Sequence, residues 1–341
     1  MKKIFFPLIV CIILSTGCSK TSPDDKPTGD GRSLGWNAQD NPSQIPQSIN
    51  NQIFSSTGGA TEPSVDLTPY LPPIGDQGQT GTCVAWASGY YTRTAADAIA
   101  NNYTQAQLSS PTYEFSPKHL FTAIADNLKG ADCNGTNFTA ALDIMQGGGV
   151  ATLATVPFSN LGNCSSSLID PTWSANAQDH KISNYRAVNK SVDAIKVELA
   201  KKNPVIFGAK LPDQFLSWQG GAQVLSGQAT YTQGGGGHAM TIVGYDDSKQ
   251  AFRIANSWGT SWADNGYMWI DYNYMVNSFI TDGNLYVLNV TGGGPNPSPN
   301  PNPGGSNIDL ATWVYQDFST ASQTGFANTR TMLFDIYNIG T

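Results

Sequence analysis

An α+β fold is predicted by two observations on this sequence. Up to residue 203 the apolar residues of the longer segments recur at spacings of three and four; after Asn203-Pro204 they fall into short runs rich in Val, Ile, Phe and Tyr. Helices first and strands second point to two packed subdomains rather than to alternating βαβ units.

Each element has a local reason. In "CVAWASGYYTRTAADAIA", Val84, Ala87, Tyr91, Ala95 and Ala98 line one helical stripe, and Thr82 stands where an N-cap is expected. "NFTAALDIMQGGG" is a second helix, stopped by its glycines. "SVDAIKVELAKKN" is a third, ended by Asn203-Pro204. The strands follow as "PVIFGAK", "HAMTIVGYD", "AFRIANSW", "GYMWIDY" and "NLYVLNV".

The flanks carry other signals. "MKK", the apolar "IFFPLIVCIIL" and "STGC" read as a bacterial secretory signal over residues 1–18, too short to span a bilayer as a mature helix. "LSTGC" resembles a lipobox, which makes Cys18 the residue to be lipidated; the alternative is an ordinary signal peptide. The expected location is outside the cytoplasm, on a lipid anchor facing the periplasm or cell surface, or secreted. Residues 19–62, rich in Ser, Pro, Asn, Asp and Gln, read as a low-order tether or leader, and 63–290 as the globular domain. Residues 291–305, "TGGGPNPSPNPNPGG", read as a linker, and 306–341 as a short β segment or a truncated domain.

Composition narrows the partners. The formal net charge is −7 and no Lys/Arg cluster is evident, which argues against nucleic acid. Of the five cysteines, Cys11 leaves with the signal and Cys18 takes lipid. That leaves Cys83, Cys133 and Cys164. Export permits disulfides, and an odd count leaves one thiol that needs a reason.

Cys83 sits at a predicted helix start, where the helix dipole favours an anion. A histidine partner would lower its pKa further, to roughly 3–4 in the extreme. The bland alternative is a buried, inert cysteine. Of the three histidines, His238 follows four glycines and opens a strand. A hairpin of "HAMTIVGYD" with "AFRIANSW" centred on Asp247 would set His238 opposite Asn256, an amide able to fix the tautomer of an imidazole.

These stretches together resemble the papain family of cysteine peptidases. "DQGQTGTCVAW" is similar to the family's run from oxyanion-hole glutamine to nucleophile, "GHAMTIVGYDD" to its histidine strand, "IANSWGTSWADNGYMWI" to its asparagine segment, and "DCNGTNFTAALDIM" to its cleft turn and following helix. The resemblance covers about residues 63–290. It implies a helical half and a β-barrel-like half with a cleft between them. Peptide hydrolysis through an acyl-enzyme is implied, with protein or peptide substrates and no metal or cofactor. The implied roles are Cys83 as nucleophile, His238 as acid and base, Asn256 as its orienter and Gln77 as oxyanion donor.

Trp258 would cover the His–Asn bond, Trp262 would line the leaving-group side, and Gly135 would pair with an extended substrate. Asn137, Phe138, Gly208 and Ala239 match places that shape the pocket for the residue second from the cleaved bond, here roomy and apolar. Thr80 stands where the family often has a cysteine, so Cys133 lacks its usual partner, as does Cys164; the two pair with each other or stay free. Residues 19–62 are too few for the family's long helical propeptide. Other readings are a related amidase or transpeptidase, a catalytically silent binding protein of the same fold, and a surface adhesin built on the C-terminal segment.

Overall fold

The long helix α1 begins at Cys83 and is not uniform. It runs as an α-turn over Cys83–Ala85, a π-helical stretch over Trp86–Arg93 and an α-helix over Thr94–Asn101. The predicted stripe is its buried face: Val84, Ala87, Tyr91, Ala95 and Ala98 are all buried. In the widened turn Thr92 Oγ1 donates to the Ala87 carbonyl (2.8 Å), and Thr241 from the sheet donates to the same oxygen (3.1 Å). Widened turns of this kind recur at functional sites. Thr82 occupies the N-cap position but makes no side-chain cap; its hydroxyl meets Thr80 Oγ1 instead (2.7 Å).

The structure is a computed structural model that describes residues 33–38, 62–221, 223–232, 235–281 and 285–290, and the backbone of 310–312 and 336–338. The signal segment with Cys18 lies outside the described residues, as do most of the leader and the linker. The chain divides into two units, Met1–Pro295 and Asn296–Thr341. In the second, strands Leu310–Thr312 and Ile336–Asn338 pair antiparallel.

In the first unit, helices α2 (Pro117–Ala123), α3 (Phe138–Gly147) and α4 (Pro171–Gln178) accompany α1, and α5 (Val192–Ala200) packs on the sheet. Asn137 caps α3 by accepting from Ala140 N–H (2.8 Å), and Ser191 caps α5 by accepting from Ala194 N–H (3.2 Å). Strands are β1 (Ser64–Asp66), β2 (Asn184–Val188), β3 (Val205–Lys210), β4 (Val224–Leu225), β5 (Gly237–Asp246), β6 (Ala251–Ala255), β7 (Tyr267–Asp271) and β8 (Leu285–Asn289). They form one mixed sheet in the order β2-β8-β3-β5-β6-β7-β4, with β1 added on β5. All pairs are antiparallel except β4 with β7.

The α+β class holds, but the expected barrel-like half is an open sheet. Its end strands, β2 and the two-residue β4, do not pair with each other, so the sheet stays unclosed. The hairpin register also differs from the expectation. The β5–β6 turn closes on Asp246↔Ala251 rather than centring on Asp247, and a bulge between Ile242 and Gly244 shifts the ladder by one residue. Near the site the pairing is Thr241↔Ala255, which puts His238 and Asn256 on a diagonal rather than opposite each other.

Cys133 and Cys164 are joined by a disulfide that closes a separation of 31 residues. It ties the cleft turn before α3 to the loop beyond it. Lys129 reinforces the same junction, donating to the carbonyls of Thr122 (3.1 Å) and Cys164. Loop-closure entropy assigns such a bridge about 3–4 kcal/mol. The Cys133→Ala/Cys164→Ala protein should therefore lose about 3 kcal/mol of unfolding free energy in non-reducing urea titrations. An unchanged midpoint would show that the loop is held without the bond.

Candidate active site

Three elements build the site: the start of α1 with Cys83, the start of β5, whose Ala239 N–H meets the sulfur, and the segment after β6, which reaches His238 and Tyr91. Cys83 is fully buried and its thiol is free. Backbone N–H groups of Ala239 and Gly35 approach the sulfur, together with those of Val84 and Cys83 itself. His238, the residue before Ala239, is likewise buried.

The histidine is oriented by one atom. His238 Nε2 lies 2.8 Å from Asn256 Oδ1, and the same oxygen accepts from Ser257 N–H at 2.8 Å. A backbone N–H can only donate, so the atom it meets is the amide oxygen, and Nε2 must carry a proton to bond to it. In the neutral ring this leaves Nδ1 as the basic nitrogen. Trp258 lies over the pair, its ring centroid 4.8 Å from that of His238, and Trp262 packs edge-on against Trp258 at 5.5 Å. Asn256 is tied back to α1: Tyr91 Oη donates to its carbonyl (2.9 Å) and accepts from Gly75 N–H (3.0 Å). Tyr91 read as a core residue in the sequence; its hydroxyl had no local signal.

Gln77 is aimed with equal care. Its Oε1 accepts from Ser257 Oγ (2.6 Å), which turns Nε2 the other way, toward the carbonyls of Thr80 (2.8 Å) and Ser33 (2.9 Å). Ser257 thus serves both Asn256 and Gln77, a role sequence reading missed although the residue lies inside the "ANSW" stretch.

The second missed group is the segment 33–38, "SLGWNA", which crosses the cleft. Thr136 N–H donates to the Gly35 carbonyl (2.9 Å) and Asn37 N–H to the Thr136 carbonyl (2.9 Å), a parallel bridge; Trp36 N–H donates to the Gly237 carbonyl (3.0 Å). Three glycines make room for it. A Cβ on Gly35 would lie 2.1 Å from Gly81 O, one on Gly81 would lie 2.6 Å from Gly135 N, and one on Gly135 would lie 2.6 Å from Gly35 O. Leu34 joins the apolar cluster that holds Trp258 and Trp262, and Trp36 joins the one that holds Phe138 and Ala239. Of the expected pocket residues, Gly208 and Ala239 are cross-strand partners and Phe138 faces Trp36, whereas the Asn137 oxygen is spent capping α3. The one signal in the leader was Trp36 itself, its only tryptophan.

This crossing overturns one electrostatic expectation. Instead of being lowered by helix and histidine, the Cys83 thiol is pushed up to about 11 by burial, which outweighs the favourable backbone N–H groups.

A family model described as "Papain family cysteine protease" matches residues 63–288. The chain belongs to that family. Among related sequences, Gamete and mating-type specific protein A of Dictyostelium discoideum is 31% identical over 205 residues, 60% of this chain and 41% of that protein. Cathepsin B-like CP3 of Giardia intestinalis is 27% identical over 204 residues, 58% of this chain and 63% of its own. The chain thus matches less than two-thirds of the length of either relative. Among solved structures, xylellain, a cysteine protease from Xylella fastidiosa, superposes with a TM-score of 0.63 at 24% identity, covering 78% of this chain and 98% of that one. Digestive procathepsin L2 of Tenebrio molitor gives 0.57 at 21% identity, covering 76% and 79%. Both likenesses extend to the fold.

A thiol raised from 9.0 to about 11 holds about a hundredfold less thiolate at neutral pH. Iodoacetamide should therefore label Cys83 of the full-length chain far more slowly at pH 7 than after denaturation, with the rate climbing as pH approaches 11. Trp36→Ala should restore fast labelling at pH 7, read by mass spectrometry. Equal rates with and without Trp36 would separate the burial of the thiol from the strap.

Proposed function

We propose that this protein is a cysteine endopeptidase in which Cys83 attacks the peptide carbonyl, forming an acyl-enzyme that water then hydrolyses. His238 Nδ1 takes the thiol proton and returns it to the leaving amine, then removes a proton from water in the second half. Asn256 holds the ring through Nε2, and Trp258 keeps water off that bond. Gln77 Nε2 and the backbone N–H of Cys83 stabilise the oxyanion. One observation carries the reading: Gln77 Nε2 already donates to a peptide carbonyl, that of Ser33, whose chain also brings the Gly35 N–H to the buried thiol, beside an imidazole oriented by Asn256 one residue before the Ala239 N–H.

The strap supports latency as part of the same reading. A substrate fills the pocket at Phe138 and Gly208 with a residue N-terminal to the carbonyl on Gln77. In the strap the pocket residue, Trp36, is C-terminal to that carbonyl, so the segment lies backwards. From this segment the Gly35 N–H meets the sulfur, alongside that of Ala239. Export on a lipid anchor at Cys18 belongs to this proposal too, with proteins or peptides outside the cytoplasm as substrates; among the described residues no helix is long and apolar enough to cross a membrane. An amidase or transpeptidase would use the same centre and differ in which nucleophile, water or an amine, takes the acyl group.

Cleavage of an unfolded protein should vanish in Cys83→Ala and rise in Trp36→Ala over wild type. Gln77→Ala should lose about 10²–10³ in kcat. A Cys83→Ala protein that still cleaves would remove the nucleophile assignment. Transfer to an added amine in place of hydrolysis would decide for the transpeptidase.

A further inference from the structure

Every segment that carries a proposed site residue is tied to the widened turn of α1. The nucleophile stands at the start of the same helix: Cys83 opens it, and the π-helical stretch Trp86–Arg93 follows. The histidine strand reaches the turn through Thr241, three residues after His238, which donates to the Ala87 carbonyl (3.1 Å). The other two segments reach it through one phenol. Tyr91 Oη accepts from Gly75 N–H (3.0 Å) and donates to the Asn256 carbonyl (2.9 Å). Gly75 opens the run that ends at Gln77, and this run lies antiparallel to the one after Asn256. Gly259 N–H donates to the Gly75 carbonyl (3.0 Å), and Gln77 N–H donates to the Ser257 carbonyl (2.9 Å). The Tyr91 hydroxyl thus fastens both strands of this short ladder to the helix.

A π-helical turn holds more residues than an α-turn, so side chains at consecutive positions diverge less around the axis. Tyr90 and Tyr91 accordingly pack edge to face, with centroids 5.1 Å apart, and address the same loop: Tyr90 Oη donates to the Pro73 carbonyl (2.8 Å). Of the two, Tyr91 is the one that also bonds Asn256. Burial pushes the Tyr91 phenol above its ordinary pKa, so the hydroxyl keeps the proton it donates. We infer that Tyr91 is a positioning residue of this centre: its hydroxyl fixes Asn256, and through Asn256 the ring of His238, relative to Cys83 and Gln77. The inference rests on the proposed roles of those residues. The Asn256 backbone is held at its N–H by the Gly266 carbonyl (3.0 Å) and at its carbonyl by Tyr91. Phenylalanine at 91 would keep the packing and release that carbonyl, and a misplacement on the order of 1 Å in such a centre costs about 10²-fold in rate. Being buried, Tyr91 touches no substrate, so its loss should appear in kcat and not in KM.

The test uses the full-length Trp36→Ala chain as parent, with Tyr91→Phe and Tyr90→Phe added separately. Tyr90→Phe is the control, because it removes a hydroxyl from the same turn to the same loop without touching Asn256. Rates are counted per folded molecule. On a fluorogenic peptide, Tyr91→Phe should lower kcat by about 10–100-fold with KM within about twofold, and Tyr90→Phe should leave both within about twofold. Iodoacetamide labelling of Cys83 at pH 6 should fall by about tenfold or more in Tyr91→Phe alone, because a misaligned imidazole no longer supports the thiolate. kcat decides wherever the parent cleaves, and labelling decides where it does not. An unchanged rate in Tyr91→Phe, or an equal loss in Tyr90→Phe, overturns the inference. Where Tyr91→Phe does not fold, 4-aminophenylalanine in place of Tyr91 decides: its weaker donor should lower the rate partway, and a rate equal to the parent's overturns the inference. A Tyr91-specific loss of labelling in a parent that cleaves nothing supports the positioning and removes the peptidase reading; cleavage that depends on Cys83 but not on Tyr91 overturns the positioning alone.

Discussion

One acceptor atom, Asn256 Oδ1, organises this site. It takes the Ser257 N–H and so has a fixed identity, and it takes His238 Nε2 and so fixes a tautomer. Everything nearby serves that bond. β5 and β6 carry its two residues, Trp258 shields it, and Tyr91 pins the Asn256 backbone to the helix that begins at Cys83. A buried imidazole with the wrong nitrogen protonated would present a donor rather than a base to the thiol. Ser257 extends the arrangement to Gln77, so that the side chains of His238 and Gln77 are both set by one dipeptide after β6.

The second constraint is room. The strap passes where Gly35, Gly81 and Gly135 bring backbones into contact, and no side chain fits among them. The result is a sulfur surrounded by backbone and shut off from water. Burial then dominates and pushes the thiol up to about 11, although the Gly35 N–H of this segment favours the anion. The usual view of such a cysteine as a ready thiolate describes the open cleft; the covered one has the opposite polarity of shift for a simple reason. Water that would solvate the anion has been replaced by a peptide whose groups are already committed to Thr136, Gly237 and Gln77.

Legibility in the sequence followed locality. The stripe on α1, the helices at Phe138–Gly147 and Val192–Ala200, and the five strands after Pro204 all rest on short-range pattern, and they stand where expected, whereas the cap expected at Thr82 is not made. The hairpin register did not, because the turn closes on Asp246↔Ala251 rather than centring on Asp247 and the bulge at Val243 recovers only part of that offset; the His–Asn contact survives as a diagonal. β2 escaped notice because "NYRAV" is too brief and too polar for a period to show. The strap escaped because "SLGWNA" has no periodicity, and its contacts lie a hundred or more positions away at Thr136 and Gly237.

By itself the sequence determined the chemistry available: a cysteine at a helix start, a histidine opening a strand, an amide beyond it and a glutamine ahead, in an order that marks the family. Tertiary structure alone decided three things: which nitrogen of His238 carries the proton toward Asn256, that Cys133 and Cys164 bridge, and that the segment 33–38 lies against Gly81, Gly135 and Gly208. Residue identity and spacing carry the first because motifs are local. The rest depends on which atoms meet after folding, on donor geometry and on the exclusion of water, and none of these is written in any single stretch of chain.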